Sequence, residues 1–119
     1  MKIKDFMSDR RKFVRIHSDF PIEVKQLPLT HQSVHNSLSL NISEGGVRIS
    51  LFYFYPVNSK VNLTLFTAKD DLPFKALGKV SWVERVPYQE RYRLGVEFVD
   101  LNDTHRNQLR RIINRISGL

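Results

Sequence analysis

Through most of this chain apolar and polar residues alternate with a period of two, and the period changes once, near the end. Phe20, Ile22 and Val24 alternate with polar neighbours, as do Leu38, Leu40 and Ile42, then Val47, Ile49 and Leu51, then Val61, Leu63 and Leu65. A longer run, Phe74 to Val86, carries Val80 and Trp82 on one face, and Tyr92, Leu94, Val96 and Phe98 alternate with Arg91, Arg93, Gly95 and Glu97. A period of two places successive side chains on opposite faces of a pleated strand, so each run reads as a strand with one buried face. Between the runs stand turn signals: Leu27-Pro28 with a polar loop or hairpin tip from Thr30 to Asn36, the pair Gly45-Gly46, the corner Phe52-Tyr53-Phe54-Tyr55-Pro56, the acidic turn Ala68 to Pro73, and Pro87. About six strands at this spacing predict a closed or nearly closed antiparallel barrel. Gly78 inside the long run predicts a bulge or bend, and the aromatic corner is expected to bury at least two of its rings.

The final segment has a helical period. Leu109, Ile112, Ile113 and Ile116 follow the i, i+3, i+4, i+7 pattern, with Asn102 or Asp103 as N-cap and Gly118 as the stop. Arg106, Arg110, Arg111 and Arg115 are interspersed with that stripe and are expected to point outward. Residues 1–15 lack a clean period and read as a flexible basic arm. The expected organisation of the 119 residues is that arm followed by one domain over 16–119, an all-β core with a single α-helix packed against it.

Composition narrows the chemistry. There is no cysteine, which removes disulfides, thiolate catalysis and thiolate zinc sites. No run approaches 18 apolar residues, and the basic N-terminus lacks a signal-peptide core, so a cytoplasmic protein without membrane insertion is expected. His31 and His35 have i, i+4 spacing in a loop with no further ligands, so no metal site is expected. No nucleophile stands at a strand-to-helix elbow, no phosphate-cradling glycine loop is present, and no carboxylate pair faces a cleft, which argues against an enzyme. The formal charge of +7 favours anionic partners: nucleic acid, an anionic membrane face or a phosphate-bearing small molecule.

Two motifs address such a partner. Arg11-x-x-x-Arg15, preceded by Arg10, clusters planar cations. Asn41-Ile42-Ser43-Glu44-Gly45-Gly46 sets an amide and a hydroxyl on a glycine turn. In this order, with Gly78-Lys79-Val80-Ser81-Trp82 and Leu94-Gly95-Val96-Glu97-Phe98 following, they resemble the PilZ domain family, bacterial receptors for cyclic di-GMP. The resemblance runs from about Asp9 to the end and implies a six-stranded antiparallel barrel with a C-terminal helix, in agreement with the strand count. It also implies that the ligand is cyclic di-GMP and that no cofactor is needed.

By that resemblance Arg11 and Arg15 take phosphate oxygens and guanine O6 and N7, work suited to the guanidinium fork. Asn41 and Ser43 read a guanine edge, where the family more often has Asp than Asn at position 41. Gly46, with Gly45, permits positive φ and close approach of a base. Arg10 implies two intercalated ligand molecules per protomer. Trp82 has two readings, barrel core, which is the commoner environment of tryptophan, or an aromatic beside the ligand. The function implied is a non-catalytic receptor that changes conformation on binding and signals to a partner protein in motility, biofilm or virulence control. Two alternatives stand beside it: a nucleic-acid-binding small barrel using the terminal arginines, and a PilZ protein-interaction module that does not bind the nucleotide.

Overall fold

The computed structural model describes residues 16–27, 34–67 and 71–118. Seven strands and one helix follow in chain order: β1 (Ile16–His17), β2 (Pro21–Leu27), β3 (Val34–Ile42), β4 (Gly46–Leu51), β5 (Lys60–Leu65), β6 (Phe74–Arg85), β7 (Tyr92–Val99) and α1 (Asp103–Ser117). All pairings are antiparallel. β2 pairs with β3, β3 with β4, β4 with β7, β7 with β6, β6 with β5, and β5 returns to β2, so these six strands close a barrel. The short β1 lies outside the ring, beside β3.

The alternation explains the interior. Ile22 and Val24 from β2, Val47, Ile49 and Leu51 from β4, Val61, Leu63 and Leu65 from β5, and Leu94, Val96 and Phe98 from β7 all point inward and are buried. The helix joins the same core through Leu109 and Ile112, with Ile113 and Ile116 packed at its edge. Asn102 is its N-cap, accepting from the His105 backbone N–H at 2.8 Å, and Gly118 ends it in the left-handed region at φ 79°. Gln108 donates to the Leu72 carbonyl at 3.2 Å, and Phe74 meets His105 edge-on, so the helix lies over the barrel end where β6 begins. Its four arginines point outward. No described helix is long and apolar enough to cross a membrane.

Several expectations change. The segment expected as a loop up to Asn36 is already strand: Val34, His35 and Asn36 pair with Lys25, Val24 and Glu23. Its polarity reflects a solvent-facing stretch of hairpin. Leu38, Leu40 and Ile42 do not share a face. The β3–β4 register shifts between Ser39 and Asn41, leaving Leu40 as an extra residue. Leu38 is therefore exposed while Ser39 is buried, where its hydroxyl meets Ser18 Oγ at 2.8 Å and accepts from the Phe20 N–H.

A second bulge lies in β6, between Val80 and Trp82 rather than at Gly78, so those two residues point to opposite faces. Gly78 holds regular register instead, and a Cβ there would lie 2.4 Å from Val96 Cγ1. Of the aromatic corner only Tyr55 is buried, while Phe52, Tyr53 and Phe54 are exposed. The first of these rings lies under the Arg91 guanidinium, and Phe54 packs edge-on against Tyr92.

Candidate functional site

The two bulges have a joint consequence on the outside of the barrel. β1 sets His17 opposite Asn41, β3 sets Asn41 opposite Arg48, β4 sets Arg48 opposite Gly95, and β7 sets Gly95 opposite Trp82. With strands about 4.8 Å apart, Asn41 and Trp82 stand roughly 14 Å apart along this cross-strand row. Neighbours in such a row are in side-chain contact range. Without the bulges, strict alternation would turn Asn41 and Trp82 away from the face that carries Arg48.

Trp82 reaches along the row because Gly95 has no side chain. A Cβ on Gly95 would lie 2.0 Å from Trp82 Nε1, so the indole lies directly over that backbone. The Ser81 hydroxyl donates to the Gly95 carbonyl at 3.1 Å and fastens the bulge. Arg48, one strand further, holds its guanidinium carbon 5.3 Å from the Trp82 ring centre, in cation–π range. Its Nε is shielded from solvent and has no acceptor among the described residues. Leaving a buried donor unmet costs about 1–3 kcal/mol. Arg48 was not among the expected site residues. Its signal was present in the alternation of Val47, Ile49 and Leu51, which sends position 48 outward.

The turn at one end of the row is tightly built. Ser43 is buried, and its hydroxyl accepts from the Gly45 N–H at 3.1 Å, while the Ser43 N–H donates to the Gly46 carbonyl at 2.9 Å. The Phe98 N–H donates to the Gly45 carbonyl at 2.9 Å, which ties the turn to β7. Gly46 does not adopt positive φ. Glycine is needed there because a Cβ would lie 2.2 Å from the Val96 carbonyl oxygen. Ser43 thus shapes the turn with its hydroxyl, and a hydroxyl retains capacity for a further bond. Glu44, the half-buried tip, accepts from Arg110 Nε of α1 at 2.5 Å, which raises the Arg110 pKa and links the helix to the turn.

Arg10, Arg11, Arg15 and His31 lie outside the described residues. The chain that follows Arg15 does not: Ile16 pairs with Ile42 and His17 with Asn41, so β1 begins beside the Asn41–Gly46 turn. α1 also touches β1. Among the described residues no three metal-ligating side chains converge. A cavity of about 470 Å³ lies away from the row, lined by Lys25, Asn62, Lys75 and His105 on the β2–β5–β6 side.

The chain matches the PilZ domain profile over residues 9–115. No curated protein is significantly similar to it in sequence. Among solved structures, the PilZ domain of Escherichia coli YcgR with c-di-GMP superposes with a TM-score of 0.74 at 19% identity, covering 92% of this chain and 93% of that one. Bacillus subtilis MotI, an inhibitor of motility, gives 0.74 at 17% identity, covering 92% of this chain and 52% of that one. The K. pneumonia MrkH–c-di-GMP complex gives 0.74 at 16% identity, with 92% and 54% covered. The chain thus spans about half the length of MotI and MrkH. At these identities the likeness to solved structures is one of fold. The profile match covers nearly the whole barrel and its helix, and with the six-stranded ring it fixes the assignment: the chain belongs to the PilZ domain family.

Proposed function

We propose that this protein is a non-catalytic receptor for cyclic di-GMP. The observation that carries the reading is the outer row of Asn41, Arg48, Gly95 and Trp82, which begins beside the turn Ser43–Gly46 and beside the strand that follows Arg15. It offers an amide, a guanidinium and an indole face on one side of a rigid barrel. Cyclic di-GMP presents two phosphodiester charges and two guanine edges, and Arg11 and Arg15 supply bidentate donors to both kinds of acceptor. Arg10 adds a third cation, and we assign two intercalated ligand molecules to each protomer on that basis. Structures of the YcgR PilZ domain and of MrkH are described with c-di-GMP, which supports the same ligand class here.

In operation, the basic arm of residues 1–15 closes over a ligand seated on the outer row. The reshaped surface then meets, or releases, a partner protein in the cytoplasm. Such a switch requires different ligand affinity in the open and closed states. Control of motility, biofilm or virulence is the kind of output we assign to it, in keeping with MotI being an inhibitor of motility.

Isothermal calorimetry with cyclic di-GMP tests the reading. Truncating one partner of a buried arginine–phosphate pair costs about 2–5 kcal/mol. Arg15→Ala is therefore expected to lose binding at least tenfold, and Ser43→Ala to weaken it. Unchanged affinity in both variants refutes the receptor assignment, and a stoichiometry near one removes the role given to Arg10. Steep salt dependence with length-dependent oligonucleotide binding, and no competition by cyclic di-GMP, would instead support a nucleic-acid module.

A further inference from the structure

The one guanidinium of the outer row was absent from the motif that points to a ligand, yet it has the strongest claim on one. Arg48 stands between Asn41 and Gly95 in register, on a strand held on both sides by the closed barrel. It belongs to the wall of the barrel, between β3 and β7. Its Nε–H is buried with no acceptor among the described residues, and its guanidinium is parked against Trp82. The parking is built in, since the indole reaches Arg48 only across the bare backbone of Gly95. An arginine placed this way has a donor to spend and a short path to spend it, by turning off the indole toward a group seated beside Asn41.

We infer that Arg48 is a specificity-determining residue of the site: it turns from Trp82 to the ligand and reads the O6 and N7 edge of a guanine. This rests on the receptor reading given above. The chemistry favours guanine over adenine for a definite reason. Guanine presents two acceptors, O6 and N7, to the paired donors of a guanidinium, whereas adenine presents one acceptor and an amino donor. A phosphate would also take a guanidinium. A flat base edge, however, matches a donor that lies against the sheet and is flanked by an indole, where the base can stack as the arginine leaves.

The test is calorimetry with cyclic di-GMP and cyclic di-AMP on the full chain, for wild type, Arg48→Lys and Arg48→Met. Trp82 emission is followed in parallel, and it reports a single site because the chain has one tryptophan. Arg48→Lys retains the stem and the charge but not the fork, and thermal melts confirm that both variants are folded. A bidentate arginine–guanine contact predicts a loss of about 5- to 150-fold for cyclic di-GMP in both variants. The preference over cyclic di-AMP should fall with it, and the ligand-induced change in Trp82 emission should shrink. If wild type binds and both variants keep its affinity and preference, the assignment of Arg48 is overturned while the receptor reading stands. If Arg48→Lys alone restores both, Arg48 acts as a charge and edge reading is overturned. If wild type does not bind cyclic di-GMP, the receptor reading falls and this one with it.

Discussion

The barrel has two walls that treat the same rule differently. On the β2–β5 side, Ile22 to Leu27 meets Lys60 to Leu65 without a register shift; the inward Ile22, Val24, Val61, Leu63 and Leu65 are aliphatic and buried, and only Gln26, at the strand end opposite Val61, is polar and exposed. On the β3–β4–β7–β6 side the two outer strands of the four each carry a bulge, after Ser39 and after Val80. Apart from Gln26 at its end, the regular wall exposes only what alternation dictates. In the bulged wall one inserted residue at each edge re-aims a side chain, Asn41 on one flank and Trp82 on the other, toward the central Arg48 and Gly95. A bulge changes the facing of everything beyond it, so two of them let a wall keep its core and still assemble an outer row. On the receptor reading proposed above, the regular wall sets stability and the bulged wall sets binding.

The largest effect should appear where that division is sharpest. Leu63→Ala, in the regular wall, leaves a cavity in the core and should cost about 2–5 kcal/mol in urea denaturation, with ligand affinity at a fixed folded fraction unchanged. A comparable loss of affinity would break the division. Gly95→Ala, in the bulged wall, drives a methyl into the Trp82 indole and should cost about 1–3 kcal/mol through overpacking. It should also shift Trp82 emission and weaken cyclic di-GMP. An unaltered indole environment would show that the Gly95–Trp82 contact does not hold the row together.

Asn41→Asp sharpens the binding half. It converts a neutral acceptor into a charged one, and charge-assisted hydrogen bonds exceed neutral ones by about 1 kcal/mol, so cyclic di-GMP should bind roughly fivefold tighter by calorimetry. Weaker binding would mean that position 41 faces a phosphate rather than a guanine donor.

The hairpin end of β3, ahead of its bulge, carries the pH response. His35, opposite Val24, stacks on Tyr53 with ring centres 3.6 Å apart, and its Nδ1 meets the Tyr55 hydroxyl. Burial, with the Tyr53 charge adding to it, pushes the Tyr55 hydroxyl from 10.0 up to about 12. The native state therefore holds that proton where the unfolded chain has released it. This contribution is complete below pH 10 and declines as pH rises from 10 toward about 12. Burial lowers His35 from 6.5, so its contribution is complete above that pH and declines as pH falls below it. Melting temperatures measured across pH should fall at both ends, and Tyr55→Phe should flatten the alkaline limb. The smallest effect is expected from Glu44→Gln. It breaks an exposed pair with Arg110, and the melting temperature should stay nearly constant.

How much of this was legible in the sequence follows the same division. Period-two runs through Ile22, Val24, Val61, Leu63 and Leu65 specify the regular wall residue by residue, and the change of period at Leu109 specifies the helix. The bulges were not legible. Leu38, Leu40 and Ile42 form a perfect apolar alternation, yet Ser39 is buried and Leu38 exposed, because the Ser39 hydroxyl finds Ser18 and the Phe20 N–H. Pattern cannot reveal an inserted residue when the displaced side chain is satisfied by tertiary partners. The motif drew attention to Asn41 and the turn. The reason for Gly46 was misjudged, since it answers to the Val96 carbonyl across the sheet and not to a positive φ. Arg48 was legible by alternation alone but lay outside the motif that drew attention.

The central claim is that the bulged wall, and not the regular one, receives cyclic di-GMP. A titration followed by nitrogen–proton correlation NMR tests it directly, because the single tryptophan gives one indole signal. The account predicts that cyclic di-GMP moves the Trp82 indole signal and the amides from Asn41 to Arg48 and around Gly95, while those from Val61 to Leu65 hold still. Perturbations centred on β2 and β5, with the indole signal unmoved, would contradict it.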